Sequence, residues 1–358
     1  MSRFRRLAAA LADRLIDARR LAQIARARDV RAVVMNYHIM RAQSMRAHLD
    51  VLDELFDVVP IDELLRRAER PLQSGARVPT AITVDDGKRT HLSEIAAVLR
   101  ERGRHGTFFV TSGPSASGSV HWFDLADRTR HAFDALLARP EPSSADRELH
   151  TRFAGLLRER RRRGAPPVLE VEFDRWKRMD AARRDESVAA LAQSLGVDPN
   201  PIDDDERPLT PDEVAALSRQ GFTVGSHSAT HAILTCESAE RVWHELADSQ
   251  ARIAEWIGQP VTHFCYPNGN HSRETEAATR KAGYTTAWVT DPVWLGAGEN
   301  LHCLPRIQIF EQFDRAEIAL KAVLAMLGVL PNPDGTGRAY REKRAAREIA
   351  LSGSRESN

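Results

Sequence analysis

Short apolar runs of strand-forming residues alternate with helix-length amphipathic segments along most of this chain. That alternation restricts it to the parallel α/β folds. A strand is predicted over 31–38, followed by a helix with Met45, Leu49, Leu52 and Leu55-Phe56 at helical spacing. A short strand at 58–60 leads to a helix at 61–70. The next strand runs through Ile82 and Val84, and a helix over 91–102 stops at Gly103. After a strand at 106–110 the rhythm is interrupted, and it resumes with a helix at 211–219. Strands at 222–227, 262–266, 284–289 and 304–309 then intersperse with helices at 239–257, up to 281, and 318–327.

The interruption, from about 124 to 208, is charged and helical in pattern, and carries Pro140, Pro142, Pro166 and Pro167. It reads as a helical insertion in the α/β domain. Within it, 158–163 reads as a solvated helix end and 203–206 as a loop. Residues 1–28 form a separate amphipathic helix. Phe4, Leu7, Leu11, Leu15, Ala18 and Leu21 share one face, and Arg3, Arg5, Arg6, Arg14, Arg19 and Arg20 surround it. The plainer reading is a helix docked on the main domain; the sharper is peripheral contact with an anionic inner-membrane surface. An Ala- and Leu-rich face without Trp favours the plainer. The main domain is predicted over 29–330, and 331–358, rich in Gly, Arg and Glu, reads as a flexible tail.

A chain of 358 residues can bury a core as large as a barrel. With 51 Lys and Arg against 50 Asp and Glu, net charge makes no case for nucleic-acid binding. Cys236, Cys265 and Cys303 lack zinc-type Cys-x-x-Cys spacing and read as free thiols. With no apolar run long enough to span a bilayer and no secretory-type apolar centre at the N-terminus, the cytoplasm is the expected location.

Two strand ends carry chemistry. The apolar run before Asp85-Asp86-Gly87 delivers two adjacent carboxylates to one edge of the sheet, where α/β folds place their sites. Neighbouring carboxylates repel, and burial worsens this unless a cation or proton intervenes. Asp-Asp-Gly is also ordinary turn chemistry. The strand at 222–227 ends in His227, with His231 four residues on, a spacing that puts both imidazoles on one side if the segment is helical. Two histidines and a carboxylate leave positions open for water and substrate, as catalytic zinc sites require.

The order of motifs is itself informative. Thr83-Val-Asp-Asp-Gly87, Gly106-Thr-Phe-Phe-Val110, His227-Ser-Ala-Thr-His231, Phe264-Cys-Tyr-Pro-Asn-Gly269 and Leu304-Pro-Arg-Ile307 together resemble the polysaccharide deacetylases, the NodB-type or carbohydrate esterase family 4 enzymes. Tyr37-His38 and Gly283-Tyr284 with Ala287 resemble the branch linked to exopolysaccharide synthesis. The resemblance spans about 30–312. It implies an irregular (β/α) barrel and a hydrolase removing acetyl groups, N-acetyl foremost, from an amino sugar or glycan. It also implies a divalent metal, zinc first among candidates, held by Asp86, His227 and His231, with Asp85 as general base. The turn at 267–269 is where the family places an oxyanion donor. Pro267 has no N–H, so the amide of Asn268 is assigned. Tyr266, Pro267, Gly269, Trp122 and His38 are expected to contact substrate.

The sequence departs from the family pattern at three places. Lys88 replaces the aromatic residue that usually follows Asp-Asp-Gly. Phe264 and Cys265 stand where an arginine usually holds the base, leaving Arg306 as the candidate replacement. The Leu-x-His segment that usually carries the general acid is absent, and His302 is the nearest candidate. Two rival readings follow. A hydrolase of small amides or cyclic imides would have a pocket closed by the insertion, whereas a glycan enzyme would have an open groove lined by Trp122 and Trp288. A carbohydrate-binding homologue without turnover would not need Asp85.

Overall fold

The computed structural model describes residues 14–137, 147, 148, 151, 168–200 and 203–330. The predicted tail at 331–358, the first half of the predicted N-terminal helix, Pro140, Pro142, Pro166, Pro167 and the basic run at 158–163 lie outside the described residues.

Eight strands form one sheet: β1 (Val33–Tyr37), β2 (Asp57–Val58), β3 (Pro79–Val84), β4 (Thr107–Val110), β5 (Thr223–Ser226), β6 (His263–Cys265), β7 (Thr286–Trp288) and β8 (Ile307–Gln308). The order is β7-β6-β5-β4-β3-β1-β8, with β2 paired to β3, and every pair is parallel. The segment leading into β8 touches both ends of the sheet. Leu304 exchanges backbone hydrogen bonds with Ala287 and Val289, while Ile307 lies beside Met35. The sheet therefore curls into an incomplete (β/α) barrel.

Strand periodicity sorts its side chains. Val33, Met35, Ile82, Val84, Phe108, Val110, Phe264 and Ala287 pack outward into the main core, with Leu49 and Leu52 of helix Ala42–Leu55 and Leu246 of helix Ala239–Ile257. Val34, Ala81, Phe109, Cys265, Trp288 and Leu304 form the smaller inner cluster. Gly225 faces this interior, where an added Cβ would lie 2.6 Å from the Phe109 ring. The inward parity of β1, β3 and the β8 segment continues through Asn36, Thr83, Asp85 and Arg306. The same pattern that fills the barrel thus also aims its polar side chains at one end.

Helix Ala18–Ala27 starts at the N-cap Asp17 and buries Leu21 and Ala25 in the main core. The chain is not helical at Ile16 and Asp17, so Leu15, 48% exposed, does not continue that buried face. Within the region read as an insertion, helices Trp122–Leu137, Val168–Trp176 and Ala181–Ser194 share a separate core that includes Phe133, Trp176, Val188 and Ala192. The 203–206 stretch is a loop, and its carboxylates pair with Arg41 and Arg89. Among the described residues, no helix is long and apolar enough to cross a membrane.

Candidate metal and catalytic site

The chain leaves β3 through Asp85, whose amide donates to the Tyr37 carbonyl, and then turns at Asp86 with φ 85°. Left-handed backbone is uncommon for a residue with a Cβ and costs about 1–3 kcal/mol, so it persists where its surroundings enforce it. Asp86, Ser228, His231 and Asn268 are four of the five non-glycine residues of this kind among the described residues. All four lie at the same end of the barrel, the end to which β3 and β5 deliver Asp85 and His227.

His227 and His231 do not lie on a helical turn, contrary to the expectation from their spacing. Ser228 (φ 66°) and His231 (φ 57°) make the segment an irregular loop. Its conformation is held from outside by the buried Glu245 carboxylate, which accepts from the amides of Ala229 (2.9 Å) and Thr230 (2.8 Å) and from the Thr230 hydroxyl. The two imidazoles still converge. Nε2 of His227 and Nε2 of His231 lie 3.6 and 3.5 Å from the same oxygen, Asp86 Oδ1.

That arrangement fits a divalent ion. The His227 Nδ1 faces the Cys265 carbonyl at 2.8 Å, and a carbonyl only accepts, so Nδ1 carries the proton and Nε2 offers a lone pair. Burial pulls the His227 pKa down to about 4, which keeps the ring neutral and able to ligate. Burial would raise the Asp86 carboxyl, but the His231 hydrogen bond and the nearby imidazoles hold it well below the usual carboxylate range. Ligand bonds of about 2.0–2.2 Å place neighbouring ligand atoms roughly 3–3.6 Å apart, close to the spacings found here.

Asp85 has a different partner. Arg306, fully buried, donates from Nη1 to Asp85 Oδ1 and from Nη2 to Oδ2, both at 2.7 Å. Its remaining donors reach Asn36 Oδ1, Thr83 Oγ1 and the Val289 carbonyl, each at 3.1 Å. Burial alone would push the Asp85 carboxyl up; the Arg306 charge and hydrogen bonds reverse this and hold it at about 2. Cys265 completes the cluster, accepting from Arg306 Nη2 at 2.9 Å and donating to Asp85 Oδ2 at 3.5 Å. A late-strand arginine thus occupies the place where the motif pattern lacks one.

Asp85, Asp86, His227, His231 and His38 line a pocket of about 200 Å³ together with Tyr266, Asn268 and Thr290. His38 Nε2 is 4.0 Å from Asp85 Oδ2. Trp122, Phe123, Phe173 and Lys177, from the helical region between β4 and β5, wall the pocket. Trp122 Nε1 and Arg184 Nη1 both donate to the His231 carbonyl at 3.3 Å, so these helices also brace the histidine loop.

Several expected placements differ. Trp288 is fully buried in the inner cluster, because its strand position points inward, and it lines no groove. His302 does not line the pocket: its Nδ1 lies 3.3 Å from Thr279 Oγ1, behind Tyr266. Pro267 and Gly269 are buried and do not line it either. Gly269, at φ 76°, fits so tightly that an added Cβ would lie 2.1 Å from Thr290 Oγ1. Lys88 is buried against the Asp124 carboxylate and the Phe123 ring and does not line the pocket. Glu245, Phe123, Phe173, Lys177 and Thr290 were not singled out in the sequence, since no motif marks residues that only a tertiary fold brings to a site.

The polysaccharide deacetylase family model matches residues 176–287, a span holding both histidines and the 266–269 turn but not Asp85, Asp86 or Arg306. A comparison with curated protein sequences finds no match. Among solved structures, the Streptococcus pyogenes deacetylase PplD in complex with acetate is similar at 13% identity and a TM-score of 0.52, covering 82% of this chain and 99% of that one. IcaB from Ammonifex degensii is similar at 13% identity and a TM-score of 0.50, over 82% and 97% of the two chains. The putative polysaccharide deacetylase BA0330 from Bacillus anthracis shares 15% identity over 81% of this chain and 68% of its own, with a TM-score of 0.50. At such identities the likeness shows a shared fold.

Proposed function

We propose that this chain, whose residues 176–287 match the polysaccharide deacetylase family model, removes acetyl groups, N-acetyl foremost, from an amino sugar or glycan by metal-dependent hydrolysis. The observation that carries the reading is the convergence of two imidazole Nε2 atoms on one Asp86 oxygen, beside a second carboxylate pinned in place by Arg306. Asp86, His227 and His231 would hold a divalent ion, which would supply Lewis-acid polarisation of the acetamide carbonyl and a lowered pKa of water.

The chain's own residues do the rest. Asp85 accepts the proton of the attacking water, and Arg306 fixes the carboxylate's direction while keeping it ionised. The Asn268 amide donates to the developing oxyanion, a role typically worth about 2.7–4 kcal/mol. His38, which lines the pocket where His302 does not, gives a proton to the leaving amine. His38→Ala is therefore expected to lower turnover by roughly 10²–10⁴-fold, while His302→Ala leaves it near the parent value. Steady-state rates of the two variants check this, and the reverse ranking would return the acid role to His302.

The pocket is smaller than the roughly 300–1,000 Å³ of ordinary small-molecule sites and is walled by the helical region. This favours a substrate that presents a single acetylated residue over a long glycan lying in a groove. It also favours the second reading, hydrolysis of a small amide or cyclic imide by the same residues. Within the family we favour the exopolysaccharide-associated branch, on the Tyr37-His38 and Gly283-Tyr284 motifs, and a cytoplasmic location.

Acetate release from a panel of acetylated amino sugars and lipid-linked oligosaccharides, with and without chelator, tests the main reading. Chelator-sensitive release from at least one is expected. Turnover of cyclic imides alone would select the second reading, and release that is indifferent to chelation would remove the metal from either. Cell fractionation tests the location.

A further inference from the structure

We propose that His271, Glu276 and Cys303 form a second divalent-metal site, suited to zinc, which ties the 267–269 turn to the loop at 300–303. None of its ligands belongs to the first site. His271 follows the turn, Glu276 lies in the first turn of helix Arg273–Lys281, and Cys303 ends the loop before the β8 segment. One ligand atom from each lies within 4.8 Å of the others.

The orientation of the imidazole is the main argument. His271 Nδ1 faces the Gly269 carbonyl at 3.3 Å, and because that oxygen only accepts, the proton sits on Nδ1. The Nε2 lone pair then points at Cys303 Sγ, 3.0 Å away, and at Glu276 Oε1, 3.7 Å away. A thiol proton donated to Nε2 would account for the Cys303 contact. A proton on Nε2 would likewise account for the Glu276 contact alone, whereas a metal ion among the three accounts for both contacts at once. Metal-binding histidines typically show this pattern, with the second ring nitrogen held by a backbone carbonyl.

The other ligands are held in the same manner. Asn300 Nδ2 donates to Glu276 Oε2 at 2.6 Å, fixing the carboxylate. The Asn300 carbonyl accepts from the Cys303 amide at 2.9 Å, fixing the loop that carries the sulfur. All three side chains are largely buried, with exposures of 6% for His271 and 10% for Glu276, and 3% for residue Cys303. Zinc bond lengths at a tetrahedral angle put neighbouring ligand atoms roughly 3.4–3.6 Å apart, near the imidazole–carboxylate spacing, and the Cys303 sulfur would shift outward by about 0.5 Å to take up the ion. One sulfur, one imidazole and one carboxylate suit zinc far better than magnesium or calcium. The site would brace the turn that carries Asn268, since His271 is three residues further on.

Metal analysis of the purified full-length protein tests the proposal, with no reliance on turnover. Two zinc ions per chain are expected, falling to one in Cys303→Ser and in His271→Ala, and to one in His231→Ala. In cobalt-substituted protein, a thiolate-to-cobalt charge-transfer band should be present in the parent and in His231→Ala but lost in Cys303→Ser. Should the Cys303 and His271 variants fail to fold, zinc X-ray absorption on the parent decides, where a sulfur neighbour at about 2.3 Å is expected. Cys265→Ser serves as the control there, since that thiol lies near the first site, and the sulfur signal should survive it. One zinc per chain with only nitrogen and oxygen neighbours would overturn the second site while leaving the first intact. So would a thiolate signal that follows Cys265 instead of Cys303.

Discussion

Arg306→Ala is expected to lower folding stability by about 3–5 kcal/mol, the usual cost of leaving one member of a buried ion pair without its partner. The guanidinium is fully buried and donates to five acceptors besides the Cys265 sulfur, so nothing nearby can replace it. The loss should also depend on pH in a defined direction. In the parent, Asp85 titrates at about 2 instead of the ordinary 3.8, so its contribution is fully present above pH 3.8 and fades as the pH falls toward 2. Without Arg306 the burial that raises the carboxyl is opposed only by the weaker His227 and His38 charges, so its pKa rises. The variant then carries a penalty at neutral pH that shrinks in acid, as the carboxyl protonates. Urea unfolding of chelated parent and variant at neutral and acidic pH measures both effects. A deficit below about 1 kcal/mol, or one that does not change with pH, would mean that the pair does little for the fold. Arg306→Lys should fall between the two, because an ammonium keeps the charge but not the two-pronged geometry.

The strand and helix rhythm of the barrel was legible because each element had to bury one face, and burial leaves a period in the sequence. Helices at Pro211–Arg219 and Ala239–Ile257 lie where their spacing puts them, since Thr210, Ser238 and Gly258 supply caps that can be read locally. Asp85, Asp86 and His227 were likewise visible, being the polar ends of apolar strands. Residues governed by distant partners were not. His227 to His231 has helical spacing, yet Glu245 and two left-handed residues make it a loop, and nothing in those five residues announces Glu245. Trp288 reads equally well as a groove aromatic or a barrel filler; only the inward parity of β7 decides. The Arg306–Asp85 pair joins residues 221 positions apart, so motif order raised it and only the curled sheet brings it within 2.7 Å. The helices that wall the pocket showed no sign in sequence of the direction in which they fold.

Asp85→Asn is expected to reduce turnover of a responsive acetylated substrate by roughly 10²–10⁴-fold while zinc content at the Asp86, His227 and His231 site stays unchanged. The amide keeps an oxygen that can accept from Arg306 and occupies nearly the same volume, so the loss should fall on proton transfer. At about 2, the Asp85 carboxyl is ionised at every working pH but is a weak base, so its value must come from where it points. Two parallel hydrogen bonds from one rigid guanidinium set that direction. Arg306→Lys in the parent background should therefore cost turnover by misdirecting a base that is still present. The same substitution in the Asp85→Asn background should cost little, because there is no longer a base to misdirect. Rates of the four proteins at matched zinc content and matched folded fraction complete the cycle, and strong non-additivity is the expected result. If the two losses multiplied independently, Arg306 would be acting on the fold alone. The aim of the carboxylate would then have to be assigned to Cys265, which donates to the same Oδ2 from the opposite strand.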